Sequence, residues 1–236
     1  MEDLIDVSAI VPCFNQGEFI LDAIASIEAS VEVNWELIII NDGSTEPLTL
    51  EVLQYLERHG YWVINQSNRG LAAARNRGIR EASGRYILPV DADNKIRPDY
   101  MGLARDILDS SPEIGVVYGN VQFFGDRQAL WHVPAFDRDR LLQSNYIDAC
   151  AVFRKQLWEG CGGYDTAIPN RLGFEDWDLW LTALGRGWQF YRLPEIVFDY
   201  RVRPRSMVTR CLQQENHDKI LEYLRKKHPD LLRGKQ

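Results

Sequence analysis

Apolar and polar positions alternate in long blocks through the first half of the chain. Four apolar runs predict buried strands: VSAIVP at 7–12, ELIII at 36–40, YWVIN at 61–65 and RYILPV at 85–90. The segments between them, 17–30, 45–59 and 70–82, carry apolar side chains at helical spacing. Pro47 and Gly60 stand near the two ends of the second helix, as helix boundaries favour. Apolar strands that alternate with helices predict a parallel sheet covered on both faces.

The second half of the chain is less regular. Its pattern predicts strands at 114–125, 148–153 and 196–202, and helices at 174–187 and 212–228. The helix at 174–187 has an apolar face formed by Phe174, Trp177, Trp180, Leu181 and Leu184. We therefore predict a single Rossmann-like α/β domain over residues 1–236, with a mostly parallel central sheet, helices on both faces and a mixed second half.

One strand contains an irregularity. Pro89 lies in the fourth apolar run and cannot donate a hydrogen bond to a sheet ladder. We therefore expect a bulge or a local gap in pairing just before Asp91.

The net charge, the cysteines and the lengths of the apolar runs exclude several classes of function. The net charge of -7 over 236 residues argues against nucleic acid as a partner, because phosphate backbones bind basic surfaces. The cysteines have no zinc-site spacing and no signal peptide precedes them, so we interpret them as reduced core residues of a cytoplasmic protein. No apolar run reaches the roughly 18 residues of a spanning helix, so no transmembrane segment is expected. Peripheral attachment to a membrane stays open.

Polar side chains follow each of the four strands of the first half. They are Asn15, Asp42, Asn68 and the pair Asp91 and Asp93. Turn chemistry alone accounts for any one of them. In open α/β sheets, however, ligands bind beyond the carboxyl ends of the strands. Neither a dinucleotide-binding glycine loop nor a P-loop follows the first strand, so the ligand class must come from these polar groups.

The Asp-x-Asp spacing occurs three times, and only context separates the copies: Asp91 and Asp93, Asp137 and Asp139, Asp176 and Asp178. The first pair ends an apolar strand, where side chains two positions apart point to one side and repel unless a cation lies near. Mg²⁺ or Mn²⁺ takes one or two protein carboxylates and completes its shell with water and substrate phosphates. We predict half of such a site here; the alternative is a solvated turn that caps the next helix. The other two pairs predict a turn or a helix start.

Arg75 lies near the start of the helix at 70–82, among alanines. A helix N-terminus and an arginine suit a phosphate or a nucleobase edge. The alternative is a solvated helix face, which is also the interpretation for the other arginines of this segment, Arg69, Arg77, Arg80 and Arg85.

Six segments in order resemble the inverting family 2 glycosyltransferases of the GT-A fold. They are VPCFNQGEFILDAIASI, IINDGST, NRGLAAARNRGI, LPVDADN, GGYDTAIPNRLGFEDWDLWL and YRVRPRSM. The resemblance runs from about Val7 to Met207, and the last thirty residues carry none of it. Each motif alone is a weak signal, but six in the family order are specific.

The resemblance implies a nucleotide-sugar donor site at the strand ends. Asp42 resembles the aspartate that reads the nucleoside, and Pro12, Phe14 and Asn15 resemble the loop beside it. Asn68 stands in the third motif and is expected to line the same donor site.

The resemblance also implies how the diphosphate is held. Arg75 is similar to the family's arginine near the base and diphosphate. Asp93 matches the stronger metal ligand and Asp91 the ligand nearer the ribose, so Mn²⁺ or Mg²⁺ is the implied cofactor. Arg203 departs from the pattern, because many relatives have a metal-binding histidine there and an arginine cannot ligate a metal. We expect Arg203 to neutralise phosphate charge instead.

The motif FEDWDLW implies the catalytic residues. Asp176 matches the catalytic base, and Glu175 and Trp177 beside it are expected to contact the acceptor. A hydroxyl is a poor nucleophile at neutral pH, so a carboxylate must take its proton. Aromatic side chains in the segment 120–175 and just after it can stack on an acceptor sugar or pack in the core: Trp131, His132, Tyr146 and Trp177.

The predicted function is transfer of a sugar, with inversion, from a nucleotide-sugar, most readily a UDP-sugar, to a hydroxyl of a glycan, lipid-linked or small-molecule acceptor. Residues 1–119 form the predicted donor half, 120–210 the acceptor half and 211–236 a C-terminal helix. The alternatives are a metal-dependent phosphatase or nucleotidyltransferase, and a non-catalytic module that binds sugar-nucleotides or glycans. A homo-oligomer stays open.

Overall fold

A computed structural model describes residues 4–204 and 206–232. In this part of the chain one nine-stranded sheet forms the centre of the molecule. Its strands are β1 (Val7–Cys13), β2 (Trp35–Asp42), β3 (Trp62–Gln66), β4 (Tyr86–Pro89), β5 (Lys95–Ile96), β6 (Ile114–Gly125), β7 (Ala129–Trp131), β8 (Val152–Arg154) and β9 (Gln189–Val202).

Helices connect and cover these strands. They are α1 (Ile20–Glu28), α2 (Pro47–Arg58), α3 (Leu71–Glu81), α4 (Tyr100–Ser110), α5 (Arg138–Gln143), α6 (Lys155–Cys161), α7 (Glu175–Gly185), α8 (Met207–Cys211), α9 (Gln214–Lys227) and α10 (Pro229–Leu232), with a 3₁₀ turn at Pro169–Arg171. Among the described residues, none of the helices has the length and apolar character needed to cross a bilayer.

The sheet order is β3-β2-β1-β4-β8-β6-β9-β5, with β7 paired to β6. Strands β1 to β4 are parallel, and β8 is antiparallel to both of its neighbours, β4 and β6. Strand β9 is parallel to β6. As a result β1, β2, β3, β4, β6 and β9 all run the same way, and their carboxyl ends meet at one edge of the sheet.

The predicted fold class is confirmed: a central sheet, parallel in its first half and mixed in its second, lies between helices. Every residue of β1 is buried, as a strand covered on both faces requires. Gly78 of α3 lets the helix approach this strand, because a Cβ there would lie 2.5 Å from the Ile10 side chain.

The strand predicted at 148–153 is wrong for its first four residues, since β8 begins only at Val152. Side chains hold the backbone before it: the Trp180 indole donates to the Ile147 carbonyl and the Tyr100 hydroxyl to that of Cys150. The Asp148 carboxylate accepts from the Cys150 amide at 2.8 Å. These bonds replace a sheet ladder, so the apolar run does not extend as a strand.

Pro89 is the last residue of β4, and no bulge is present there. The residue pairs with Ile10 of β1, and the next amide, that of Val90, donates to the Ile10 carbonyl at 2.9 Å. The expected gap lies on the other side, where pairing with β8 stops at Ile87. The strand ends at Pro89, so the backbone that carries Asp91 and Asp93 lies beyond the sheet.

Helix α9 confirms the helix predicted at 212–228 and packs through buried Ile220 and Leu224. The last residue of α9 and the residue after it contact α7. The buried Asp178 carboxylate accepts from Lys227 Nζ at 2.8 Å and lies 2.8 Å from His228 Nε2. The C-terminal helices are thereby tied to the helix that carries Glu175 and Asp176.

Candidate active site

Asp42 ends β2 and is buried. One of its carboxylate oxygens accepts from the Gln66 amide at 2.7 Å and from the backbone amide of Arg69 at 2.8 Å, and the other accepts from the amide of Gly70 at 2.8 Å. Gly43 permits this close approach, because its φ is +73° and a Cβ would lie 2.5 Å from the Asn68 amide. Asp42 therefore fixes the loop that leads into α3.

The loop after β1 is held in a similar way. The Asn15 side-chain carbonyl accepts from the amides of Thr45 at 2.8 Å and Glu46 at 3.1 Å, at the start of α2. Pro12 is buried in β1, whereas the Phe14 ring is 47% exposed at the carboxyl edge. Asn68 is also exposed at this edge. The structure thus brings the predicted donor-side residues to one edge, with Asn15 and Asp42 already bonded within the protein.

Arg75 is fully buried and joins two carboxylates. Its guanidinium contacts Glu175 and lies 2.6 Å from Asp91. Burial alone lowers the pKa of Arg75, but the Asp91 and Glu175 charges outweigh it and the pKa rises above its usual value. The solvated-face alternative is wrong for this arginine, which links the strand-end aspartate to the start of α7.

Asp93 lies next to a second arginine. Arg203, just after β9, approaches it with its Nη2 2.5 Å from Oδ2, and the Asp93 side chain is 12% exposed. Burial raises the pKa of Asp93, and the nearby Asp91 charge raises it further, while Arg203 opposes both. The two aspartates of the pair therefore crowd each other electrostatically and are each neutralised by one arginine.

Asp176 lies in the first turn of α7, where its carboxylate is oriented by two donors. The Trp177 amide donates to Oδ1 at 2.8 Å, and the Asn145 side chain donates to Oδ2 at 3.0 Å. Burial raises the pKa of Asp176 to about 6, the charge of Asp148 adds to this rise, and Asn145 and Arg75 oppose it. Burial likewise raises the pKa of the adjacent Glu175 to about 7, against the charge of Arg75.

Sequence reasoning missed Asp148 and Asn145. Both lie before β8, an antiparallel strand, so its amino end meets the carboxyl ends of the parallel strands. Burial raises the pKa of Asp148 to about 6, and the charges of Asp91 and Glu175 add to this rise. Five carboxylates gather at this edge of the sheet: Asp91, Asp93, Asp148, Glu175 and Asp176.

The Trp177 side chain is buried and cannot contact an acceptor in this structure. Its ring is 2% exposed, and its indole N–H donates to the Leu141 carbonyl at 2.7 Å. The predicted acceptor contact is therefore corrected: Trp177 packs α7 against the segment around α5. Trp180 and Leu181 on the same helix are also buried and hold Asp176 in place.

The segment before α7 has an unusual backbone. Asn170, Arg171 and Phe174 all have positive φ, between 53° and 63°. Such conformations cost about 1–3 kcal/mol each for residues other than glycine and concentrate at functional sites. The chain turns sharply here, directly before the Glu175 and Asp176 pair.

Several buried polar atoms around the carboxylates have no hydrogen-bond partner among the described residues. They are Arg75 Nε, Arg203 Nε, the Tyr164 hydroxyl and Asn145 Oδ1. Within residues 4–204 and 206–232, no group of three or more metal-ligating side chains is assembled. A cation at Asp91 and Asp93 needs other oxygen ligands, and the unpaired arginine nitrogens suit an anionic ligand beside it.

The arrangement combines three capabilities at one edge. Paired aspartates after β4 can hold a cation, Arg75 and Arg203 can balance negative charge, and Asp176 can take a proton near pH 6. Group transfer from a phosphorylated donor to a hydroxyl can use all three capabilities.

A family model described as "Glycosyl transferase family 2" matches residues 8–177. The match begins in β1 and ends in the first turn of α7, so it spans Asp42, Arg75, the Asp91 and Asp93 pair and Asp176.

Individual proteins show the same similarity. The poly-beta-1,6-N-acetyl-D-glucosamine synthase of Staphylococcus epidermidis is 31% identical over 212 residues, which cover 85% of this chain and 48% of that protein. Among solved structures, S. aureus TarS 1–349 in complex with UDP-GlcNAc has a TM-score of 0.75 at 16% identity, covering 91% of this chain and 64% of the other. The mannosyltransferase PcManGT from Pyrobaculum calidifontis, in complex with GDP-Man and Mn²⁺, has a TM-score of 0.65 at 19% identity and covers 98% and 73%.

The structural likeness, at these identities, establishes the fold. The chain spans 23%, 32% and 48% of the length of three curated relatives that it matches.

Proposed function

Because the chain belongs to glycosyl transferase family 2, we propose that it transfers a sugar from a nucleoside-diphosphate sugar to an acceptor hydroxyl, with inversion. The observation that carries the proposal is the meeting of Asp91, Asp93 and Asp176 at one sheet edge, where Arg75 pairs with Asp91 and Arg203 pairs with Asp93. UDP-sugars are the favoured donors, since the TarS neighbour was solved with UDP-GlcNAc.

The donor lies along the carboxyl ends of β1, β2 and β4 in this proposal. The exposed Phe14 ring and Asn68 flank the buried Asp42, which shapes the loop between β3 and α3. The nucleoside lies against this loop, and the diphosphate faces Asp91 and Asp93. Arg203, which contacts Asp93, balances the negative charge of the diphosphate in this proposal.

A divalent cation fits the residues that are present. Asp91 and Asp93 each engage an arginine through one oxygen, which leaves the second oxygen for a cation. Two carboxylates, water and substrate phosphates suffice for Mg²⁺ or Mn²⁺. When bound, the cation stabilises the negative charge that develops on the departing nucleoside diphosphate. The PcManGT neighbour, solved with GDP-Man and Mn²⁺, supports this part of the proposal.

Asp176 acts as the general base. Trp177 and Asn145 fix the direction of its carboxylate, and burial gives it a pKa close to 6, so it is ionised at neutral pH and still basic enough to accept a proton. The acceptor hydroxyl loses its proton to Asp176 as its oxygen attacks the anomeric carbon. Because the attack and the departure occur on opposite faces, the sugar is transferred with inversion and no covalent sugar–enzyme bond forms.

The donor proposal is tested by thermal unfolding with UDP-, GDP- and dTDP-sugars, each with and without Mn²⁺. We expect UDP-sugars with Mn²⁺ to stabilise the protein most, since a ligand at a hundred times its dissociation constant adds about 2.7 kcal/mol. Asp93→Ala should abolish the Mn²⁺-dependent part of the shift, because it removes the stronger of the two metal ligands.

The matched control is Asp139→Ala, which removes an exposed aspartate from another Asp-x-Asp pair. It should keep the full shift. If no nucleotide-sugar stabilises the wild-type protein, or if Asp93→Ala responds to Mn²⁺ as the wild type does, the proposal is wrong.

A further inference from the structure

The hairpin formed by β6 and β7 carries a pocket that the chemistry above does not use. Its volume is about 290 Å³, and its lining residues are Phe123, Arg127, Ala129, Leu130 and Trp131. This is close to the lower end of the range of about 300–1,000 Å³ for ligand pockets. Leu130 is 42% exposed, and the Phe123 and Trp131 rings are half-buried. The pocket is therefore open, aromatic and flanked by a cation.

The two rings form a nearly parallel pair on one face of the hairpin. Phe123 and Trp131 have their ring centroids 6.1 Å apart and their planes within 15°. The Arg127 guanidinium lies 5.6 Å from the centre of the Phe123 ring. We call the two rings the aromatic platform. It is partly exposed to solvent, although burying aromatic rings against the core would stabilise the fold.

The aromatic platform lies at the same edge of the sheet as the candidate active site. Strand β6 runs in the same direction as β4, so the hairpin emerges at the edge that holds Asp91 and Asp93. Phe123 pairs in register with Tyr200 of β9, and their rings meet edge to face at 5.7 Å. Burial raises the pKa of the Tyr200 hydroxyl, and the charges of Asp148, Asp91 and Asp93 raise it further. Next to Tyr200, the Arg201 amide donates to the Asn94 side chain and the Arg201 guanidinium donates to the Asp93 carbonyl, so the part of β9 that contacts the hairpin also contacts the segment that carries Asp93.

A sugar ring matches this chemistry. A pyranose presents C–H groups from one face, which the electron-rich face of an aromatic ring attracts, and hydroxyl groups at its rim, which a guanidinium can bind. A lipid chain offers nothing to Arg127 and gains more from a closed apolar channel. An open pocket with a flat aromatic floor and a charged rim therefore favours carbohydrate.

We propose that the β6–β7 hairpin binds a sugar residue of the acceptor, one or more units away from the reacting hydroxyl, so that the acceptor is a glycan chain. This inference rests on the proposed function and names the acceptor class for it. Trp131 and Phe123 stack on the distal sugar, and Arg127 binds its hydroxyls. The unit that reacts then lies between Tyr200 and Asp176.

The test measures glycan binding without any donor, so that it does not depend on transfer. The probes are β-1,6-linked N-acetylglucosamine oligomers and β-1,4-linked glucose oligomers of one to five units, titrated by calorimetry and by saturation-transfer NMR. Wild-type protein should bind at least one series, with an affinity that rises at least about tenfold from one unit to three, since the hairpin is filled only by the longer chains.

Trp131→Ala and Arg127→Ala should each remove most of this length-dependent gain. Trp62→Ala is the matched control, because Trp62 is 44% exposed on strand β3, at another edge of the sheet. It should bind as the wild type does. Arg127 is exposed on the hairpin, so its loss leaves the core intact, and circular dichroism with UDP-sugar binding checks the fold of each variant.

The outcomes separate the two proposals. Length-dependent glycan binding that disappears in Trp131→Ala supports the hairpin subsite even if no nucleotide-sugar binds. Donor binding without any glycan affinity, or with equal glycan affinity in wild type and in both hairpin variants, overturns the subsite and leaves the donor site standing. Adsorption to phosphatidylglycerol vesicles that is lost in Trp131→Ala, without glycan binding, also overturns it, because the hairpin then meets lipid.

Discussion

At the scale of single residues, burial and then the charge of a neighbouring carboxylate raise the pKa of the candidate base, Asp176. Asp176 is held by Trp177 and Asn145, while the charge of Asp148 disfavours its ionised form. An ionised base is needed for the proton transfer, so the environment of this one side chain should be visible in the pH profile of the reaction.

We therefore predict that the transfer rate rises with pH and reaches half of its plateau near pH 6, where Asp176 loses its proton. Asp148→Asn removes a like charge, which lowers the pKa of Asp176, so the rising limb should move to lower pH. The measurement is the rate at saturating substrates between about pH 4.5 and 8. A limb that stays at the same pH in Asp148→Asn contradicts this coupling.

The residues that follow the first four strands could be predicted from the sequence, because each apolar strand is short and ends in a polar turn. Asp91 and Asp93 were identified in this way. The prediction that all four strands are buried is wrong for β3, which lies at an edge of the sheet and whose residues are exposed or half-buried. Asp148 could not be, since it precedes its strand, and only the antiparallel direction of β8 brings it to the same edge. The burial of Arg75 could not be predicted from the sequence either, because its partner Glu175 is a hundred residues away along the chain.

At the scale of elements, α7 is held from two sides. Trp177, Trp180 and Leu181 bury its apolar face, and Asp178 binds Lys227 and His228 at the end of α9. The apolar spacing predicts the first contact. The sequence predicts Asp178 only as a carboxylate at a helix start. Its partners are set by tertiary packing, which no local pattern encodes.

We predict that Asp178→Ala lowers the free energy of unfolding by about 1–3 kcal/mol, because it leaves the buried His228 Nε2 without its partner and removes one of the two carboxylates that Lys227 Nζ contacts. Glu215→Ala is the control, since it removes an exposed carboxylate that pairs with Lys219 on α9. The measurement is the urea midpoint of each variant. Equal midpoints for the two variants would show that the contact with α9 contributes no stability.

At the scale of the whole molecule, the sheet brings together two halves of the chain that differ in pattern. The predicted donor half consists of parallel strands, and the sequence shows their alternation with helices. The predicted acceptor half depends on β8, which inserts between β4 and β6, and on the long pairing of β6 with β9. These pairings join segments that are distant along the chain. The sequence therefore predicts that the second half of the sheet is mixed, but it does not predict the order of its strands.

The central claim is that this edge of the sheet transfers a sugar with Asp176 as base, and Asp176→Asn tests it most directly. Asparagine keeps the shape and can still accept from the Trp177 amide. The unpaired Asn145 Oδ1 can turn to accept from the new amide, so the fold should persist.

The measurement is the rate of nucleoside diphosphate release with acceptor present, together with donor affinity, on one preparation, with Asp139→Asn as the control. The account predicts donor affinity near that of the wild type and a transfer rate lower by at least about 10²-fold in Asp176→Asn, because no carboxylate takes the proton. The control should keep the wild-type rate. Near-normal transfer by Asp176→Asn would contradict the account and leave Asp176 a carboxylate that only stabilises the start of α7.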